Sequence, residues 1–189
     1  MSQQRPAIAV LVGSLRKGSF NKQLARALEK IAGDRAEFRH IRIDDQPLYN
    51  QDFDKDYPSP CKRLKDDINA CDAVLFVTPE YNRSVPGVLK NAIDIASRPY
   101  GHSAFSGKPG AVIGTSAGAM STALAQQHLR NMCVFLDVPL LQQPEAFIRY
   151  KEGLFADDGS VTDESVAKFL GNFIDKYLDW VSRFAWPTP

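Results

Sequence analysis

Cysteine is scarce in this chain, with three residues at positions 61, 71 and 133, and none falls in a CxxC or Cys/His spacing. An odd count without ligand spacing excludes a disulfide scaffold and a structural zinc site, and predicts buried, reduced thiols. An excess of charge is also missing. Twenty-three Lys and Arg balance 22 Asp and Glu, for a formal net charge of +1. That balance excludes a strongly basic nucleic-acid binder and weighs against an acidic carrier that docks by charge. No apolar run approaches the length needed to cross a bilayer. The first residues, MSQQRPAIAV, lack a signal-peptide core and cleavage site, so a cytoplasmic protein with no membrane contact is expected. No repeat, linker or low-complexity tract divides the 189 residues, which are expected to form one domain, 1–189.

What is present alternates. Residues 7–12, AIAVLV, form a short continuous apolar run, as a strand buried on both faces requires. Phe20, Leu24, Leu28 and Ile31 then recur at helical spacing up to Gly33. AEFRHIRI reads as a second strand, and DDQPLYNQDFDKDYPSP as a proline-broken loop. A short helix is expected from about Cys61, a strand at DAVLFVT, and a helix at VPGVLKNAIDIAS with Pro86 near its first turn. GAVIGTS reads as the fourth strand, residues 119–136 as a helix, and VPLL as a short fifth strand. A small hairpin is expected about Asp158-Gly159, then a long amphipathic helix through Val166, Phe173, Tyr177 and Val181, and a fraying tail WPTP. Five strand–helix alternations with right-handed crossovers predict an α/β doubly wound parallel sheet, order 2-1-3-4-5, with helices on both faces. Ligands of such sheets lie beyond the strand carboxyl ends, so the loops after strands one, three and four are the candidates.

The first of these, GSLRKGSFN, carries more polar donors than a turn needs. It opens a helix, where free N–H groups and the dipole favour an anion; Ser14, Ser19 and Asn21 add donors and Arg16 a cation. The plainer account is that Ser19 caps the helix and Arg16 is solvated. There is no GxxxxGK[ST] and no GxGxxG, so the loop is neither a P-loop nor a dinucleotide fingerprint. A phosphatase would need a Cys-x5-Arg loop, and no cysteine precedes residues 13–19. The second loop, within residues 78–94, begins TPEYNRS: Pro79 stiffens the strand exit, and Glu80, Tyr81 and Asn82 offer amides and a ring to a planar heterocycle. A solvated Glu80 in an ordinary turn explains the same letters, and Lys90 and Asn91 read as exposed helix positions. The third, GTSAGAMS, leaves space at a strand end through Ser116, Ala117 and Gly118. His102 and His128 read as solvated or structural. Together the loops suit a mononucleotide, and a flavin fits that shape.

At these residues the sequence resembles the NADPH-dependent FMN reductase family of the flavodoxin-like fold, nearest its bacterial quinone, chromate and azo-dye reductase branch. GSLRKGSFN resembles the family phosphate loop, TPEYNRSVPGVLKNAID its second flavin segment, GTSAG its third, and HLRNMCVFLDV with QPE its subunit-contact region. The resemblance implies bound FMN, NADPH or NADH as electron donor, and two-electron, ping-pong hydride transfer to quinones. Azo dyes, nitro compounds, ferric chelates and chromate follow as further acceptors. It implies that Ser14, Arg16, Ser19, Phe20 and Asn21 hold the FMN phosphate. Pro79, Glu80, Tyr81 and Asn82 would line the ring and ribityl chain, and Ser116, Ala117 and Gly118 would close the other side. It implies a homodimer or homotetramer. A flavin carries the hard chemistry itself, so no side chain is obliged to be catalytic, and no metal is expected. Arg83 stands where relatives carry an aromatic residue, and Ile95 where they carry tryptophan. A flavodoxin-type electron carrier without its own NAD(P)H oxidation is the competing expectation.

Overall fold

The structure, a computed structural model, describes residues 5–184. Five parallel strands form one sheet in the order 2-1-3-4-5: β1 Ala7–Val12, β2 Glu37–His40, β3 Ala73–Val77, β4 Gly110–Ser116 and β5 Phe147–Arg149. The helices are α1 Phe20–Ala32, α2 Ser59–Asn69, α3 Gly87–Ala96, α4 Ala123–Phe135 and α5 Glu164–Ser182. The two-residue period of β1 divides the core. Ile8, Val10 and Val12 pack with Leu24 and Leu28 of α1 and Phe173 and Tyr177 of α5. Ala9 and Leu11 pack with Leu64 of α2, Leu89 and Ile93 of α3 and Leu129 of α4. All six β1 residues are therefore buried, which is why the strand reads as an unbroken apolar run.

The expected architecture holds, with corrections at the edges. The second strand is only four residues, because its pairing with β1 ends at Val10↔His40. The proline-broken loop contains a 3-10 turn, Gln51–Lys55, and α2 starts two residues before Cys61. The fourth helix begins at Ala123 rather than 119, after a turn with Ser121 at φ 49°. VPLL is not the fifth strand. It runs beside the foot of β4, where Leu140 makes a single bridge to Gly110, and regular pairing resumes only at Phe147–Arg149. Val138, Leu140 and Leu141 are buried, which explains their apolar character. The true strand lies at the sheet edge and alternates exposed, buried, exposed, so it carries no apolar run. The small hairpin is present, with Phe155 bridged to Val161 and Gly159 at φ 81°. The tail at 186–189 lies outside the described residues. Asn91, expected to be exposed, is half-buried and pins the 44–58 loop, accepting from the Tyr49 N–H and donating to the Pro47 carbonyl, each at 2.8 Å.

Candidate flavin site at the carboxyl end of the sheet

Three loops leave adjacent strand ends. The first follows β1, and Gly13 still donates to the Val77 carbonyl at 2.9 Å. A Cβ at Gly13 would meet Leu89 and Pro79 at 3.1–3.3 Å, so glycine lets the chain leave the sheet against the second loop. Ser19 is the N-cap of α1 and accepts from the Lys22 N–H at 3.3 Å. That much is the plainer account. The cap leaves most of the loop unsatisfied: the backbone N–H groups of residues 15–21 hydrogen-bond to no other described residue. The first turn of α1 carries no acidic side chain to neutralise its positive end. Arg16 folds back onto the Gly18 carbonyl and lies over the Phe20 ring, 4.3 Å from its centroid. Phe20 in turn stacks on Tyr150, with centroids 3.5 Å apart and planes at 14°. An arc of free N–H groups at a helix start beside an exposed guanidinium fits a phosphate monoester with three oxygens to satisfy.

Asn21 does something different. It is buried, its amide donates to the Thr115 carbonyl at 2.9 Å, and its carbonyl oxygen accepts from the Thr115 N–H at 3.0 Å. This two-point clasp holds the first loop to the end of β4, so the side chain is an anchor, and only the Asn21 backbone is free to face an anion.

The second loop is also anchored. Tyr81 and Ser84 exchange two backbone hydrogen bonds of 3.0 Å about Asn82 at φ 51° and Arg83 at φ 60°. Both central residues are left-handed, the geometry of a type I′ turn, in which glycine is usual at the Arg83 position. Glu80 is neither solvated nor free. Its Oε2 accepts from the Leu124 and Ala125 N–H groups, each at 3.0 Å, and so caps α4, whose own N-cap Thr122 makes no side-chain capping bond. Ser84 Oγ lies 2.9 Å from Nδ1 of His128 on α4. Pro79 is buried, whereas Tyr81 is 54% exposed with its ring unclaimed.

In the third loop Ser116 Oγ donates to the Ser121 carbonyl at 2.9 Å and accepts from the Gly118 N–H at 3.3 Å, while Ala117 and Gly118 are exposed. The letters GTSAG also spell the GxSxG of a hydrolase nucleophile elbow. The structure gives them another use: Ser116 Oγ is engaged within its own loop, and no histidine bonds to it among the described residues. Gly114 lies beneath, where a Cβ would fall well under 3 Å from the Thr78 carbonyl oxygen and Thr122 Oγ1. Thr115, Tyr150 and this contact escaped the sequence reading. A glycine inside a strand is the signal that could have found the last of them.

The thiols are buried and free, and burial pushes Cys133 up to about 12 and raises Cys61 and Cys71. A neutral buried thiol is a poor nucleophile or metal ligand. No cluster of three metal-ligating side chains occurs among the described residues.

A doubly wound sheet with an anion cradle after its first strand and two anchored loops beside it defines a flavodoxin-like mononucleotide protein. Residues 6–153 match the model of the NADPH-dependent FMN reductase family. The chain is 52% identical over 174 residues to a 2-hydroxy-1,4-benzoquinone reductase of a Burkholderia species, covering 92% of this chain and 95% of that protein. It is 49% identical over 176 residues to a quinone reductase of Pseudomonas putida, covering 93% and 94%. The solved structure of FerB, a flavoenzyme NAD(P)H:(acceptor) oxidoreductase from Paracoccus denitrificans, superposes with a TM-score of 0.91 at 50% identity, covering 95% of this chain and 98% of that one. The chain belongs to the NADPH-dependent FMN reductase family. It is an oxidoreductase whose cofactor is FMN and whose electron donor is a reduced nicotinamide nucleotide.

Proposed function

We propose that this protein uses NAD(P)H to reduce quinones by two electrons, through ping-pong half-reactions in one open site. The single observation that carries the reading is the arc of unpaired N–H groups from residues 15–21 at the start of α1. When bound, FMN would supply the two-electron redox chemistry between nucleotide and acceptor. The chain binds and orients. The first loop and Arg16 offset the phosphate charge, with Ser14, Ser19 and the Phe20 and Asn21 backbones completing the cradle. Pro79, Glu80, Tyr81 and Asn82 form one wall for the ring, chiefly through backbone held rigid by the Glu80 cap. Ser116, Ala117 and Gly118 form the other. The exposed Tyr81 ring leaves the site open, so donor and acceptor take the same place in turn. No side chain is required as a proton donor.

The quinone reductases among the relatives support the acceptor class. Azo dyes, nitro compounds, ferric chelates and chromate are proposed as side acceptors. A homodimer or homotetramer is proposed through α4, whose Val134 and Phe135 are 82% and 68% exposed on one helix end. No described helix is long and apolar enough to cross a membrane. A cytoplasmic location is proposed from the sequence reading alone.

The test is an absorbance spectrum of FMN-supplemented protein before and after anaerobic NADPH, then after a quinone. Bleaching followed by recovery is expected. A bound flavin that NADPH and NADH both fail to bleach identifies an electron carrier instead, and absence of flavin binding overturns the cradle.

A further inference from the structure

The segment after β5 braces the first loop from behind. Tyr150 follows β5 directly, and its N–H donates to the Ser116 carbonyl at 2.8 Å, which ties it to the third loop. Its ring lies nearly flat on Phe20, the first residue of α1, with centroids 3.5 Å apart and planes at 14°. The Arg16 guanidinium lies 4.3 Å from the centroid of the same Phe20 ring. A ring in van der Waals contact fills the face it covers, so the guanidinium must lie over the other. Phe20 is therefore sandwiched between an exposed cation and a ring fixed to the sheet.

The stack is itself supported. Phe155 is buried, with its ring centroid 6.5 Å from that of Tyr150. Phe155 belongs to the hairpin about Asp158-Gly159, and Lys30 in the last turn of α1 bonds Asp158 at 2.8 Å. The segment 150–163 thus holds α1 at both ends, through Tyr150 at its first residue and through Lys30 at its last turn.

A helix start is weakly held by its own helix, because its first N–H groups have no intrahelical partner. Phe20 carries one of these free N–H groups, between those of Ser19 and Asn21. Fixing the Phe20 ring fixes the direction of those N–H groups and keeps Arg16 above them before an anion arrives. Less ordering is then left for binding to do. We infer that Tyr150 is a positioning residue for the FMN phosphate, acting through Phe20 on the start of α1. The inference rests on the reading of the first loop as the FMN phosphate cradle.

The test compares FMN with riboflavin, which carries the same ring and ribityl chain without the phosphate. The full chain, freed of flavin, is titrated with each and flavin fluorescence is read. The wild-type chain is expected to bind FMN more tightly. Tyr150→Leu keeps an apolar side chain and loses the stack, so the Kd for FMN should rise about fivefold while that for riboflavin stays unchanged. Tyr150→Phe should restore FMN affinity, because the stack uses the ring and not the hydroxyl. Equal losses for the two flavins would make Tyr150 a general support of the fold and overturn the inference. So would no loss for either. Should Tyr150→Leu fail to fold, Phe20→Leu breaks the same stack from its other side and must show the same selective loss. If the wild-type chain binds FMN no tighter than riboflavin, the cradle reading fails and takes this inference with it. If it prefers FMN and Tyr150→Leu keeps that preference, only this inference fails.

Discussion

The first and second loops leave neighbouring strands and are equally rich in polar residues, yet they use them in opposite ways. The second loop satisfies itself: Glu80 caps α4, Tyr81 and Ser84 close a turn, and Ser84 meets His128. The first leaves its N–H groups from residue 15 to 21 without a described partner, at the positive end of a helix. A closed network is a scaffold, whereas N–H groups left free at an exposed helix start are met by water and stay available to an anion. The comparison also runs inside the first loop, where Asn21 is consumed by Thr115 while Arg16 remains at the surface.

The sharpest way to break the comparison is to remove its shared floor. Gly114→Ala would drive a Cβ into the Thr78 backbone and the Thr122 side chain, under both the second and third loops. A loss of about 3 kcal/mol is expected, near the upper end for overpacking, measured by urea unfolding. Next comes the anchor. Asn21→Ala would strand a buried N–H and a buried carbonyl of Thr115, costing about 2–3 kcal/mol of stability and weakening FMN retention as a consequence. Arg16→Ala should invert that pattern. FMN affinity should fall about tenfold with the urea midpoint unmoved. If Arg16→Ala and Asn21→Ala lower stability equally, the division into anchor and binder is wrong.

Glu80→Ala is expected to cost about 1 kcal/mol by uncapping α4, with Glu80→Gln intermediate because one amide oxygen can still accept from Leu124 and Ala125. No effect of either variant on thermal unfolding would contradict the capping role. The smallest effect is a gain. Arg83→Gly relieves a left-handed side chain in a turn that favours glycine, and should stabilise by about 0.5 kcal/mol. A destabilised variant would mean that the Arg83 side chain makes a contact outweighing its strain.

Much of this was legible in the letters. The strands β1, β3 and β4 are buried on both faces, so they appear as apolar runs of the right length. The period of the helices and the order of alternation fix the sheet order once crossovers are right-handed. The edges were not legible. β5 has one buried residue in three, and the apolar run VPLL drew the assignment because burial leaves the same mark whether or not a segment pairs regularly. In the candidate site, the first loop stands out in the letters because serine, arginine and glycine at a helix start exceed what a cap needs. The fate of each polar side chain was not. Asn21 and Glu80 find partners 94 and 44–45 residues away, and sequence spacing carries no information about such pairs.

The sequence by itself therefore determined the doubly wound architecture and the donor-rich loop at the start of α1, because both follow from local periodicity and from residue types placed within one turn. Only the tertiary structure decided which polar residues are free to bind and which are spent as anchors. That choice depends on what the folded chain brings within hydrogen-bond reach, and a buried polar group takes the partner it meets there.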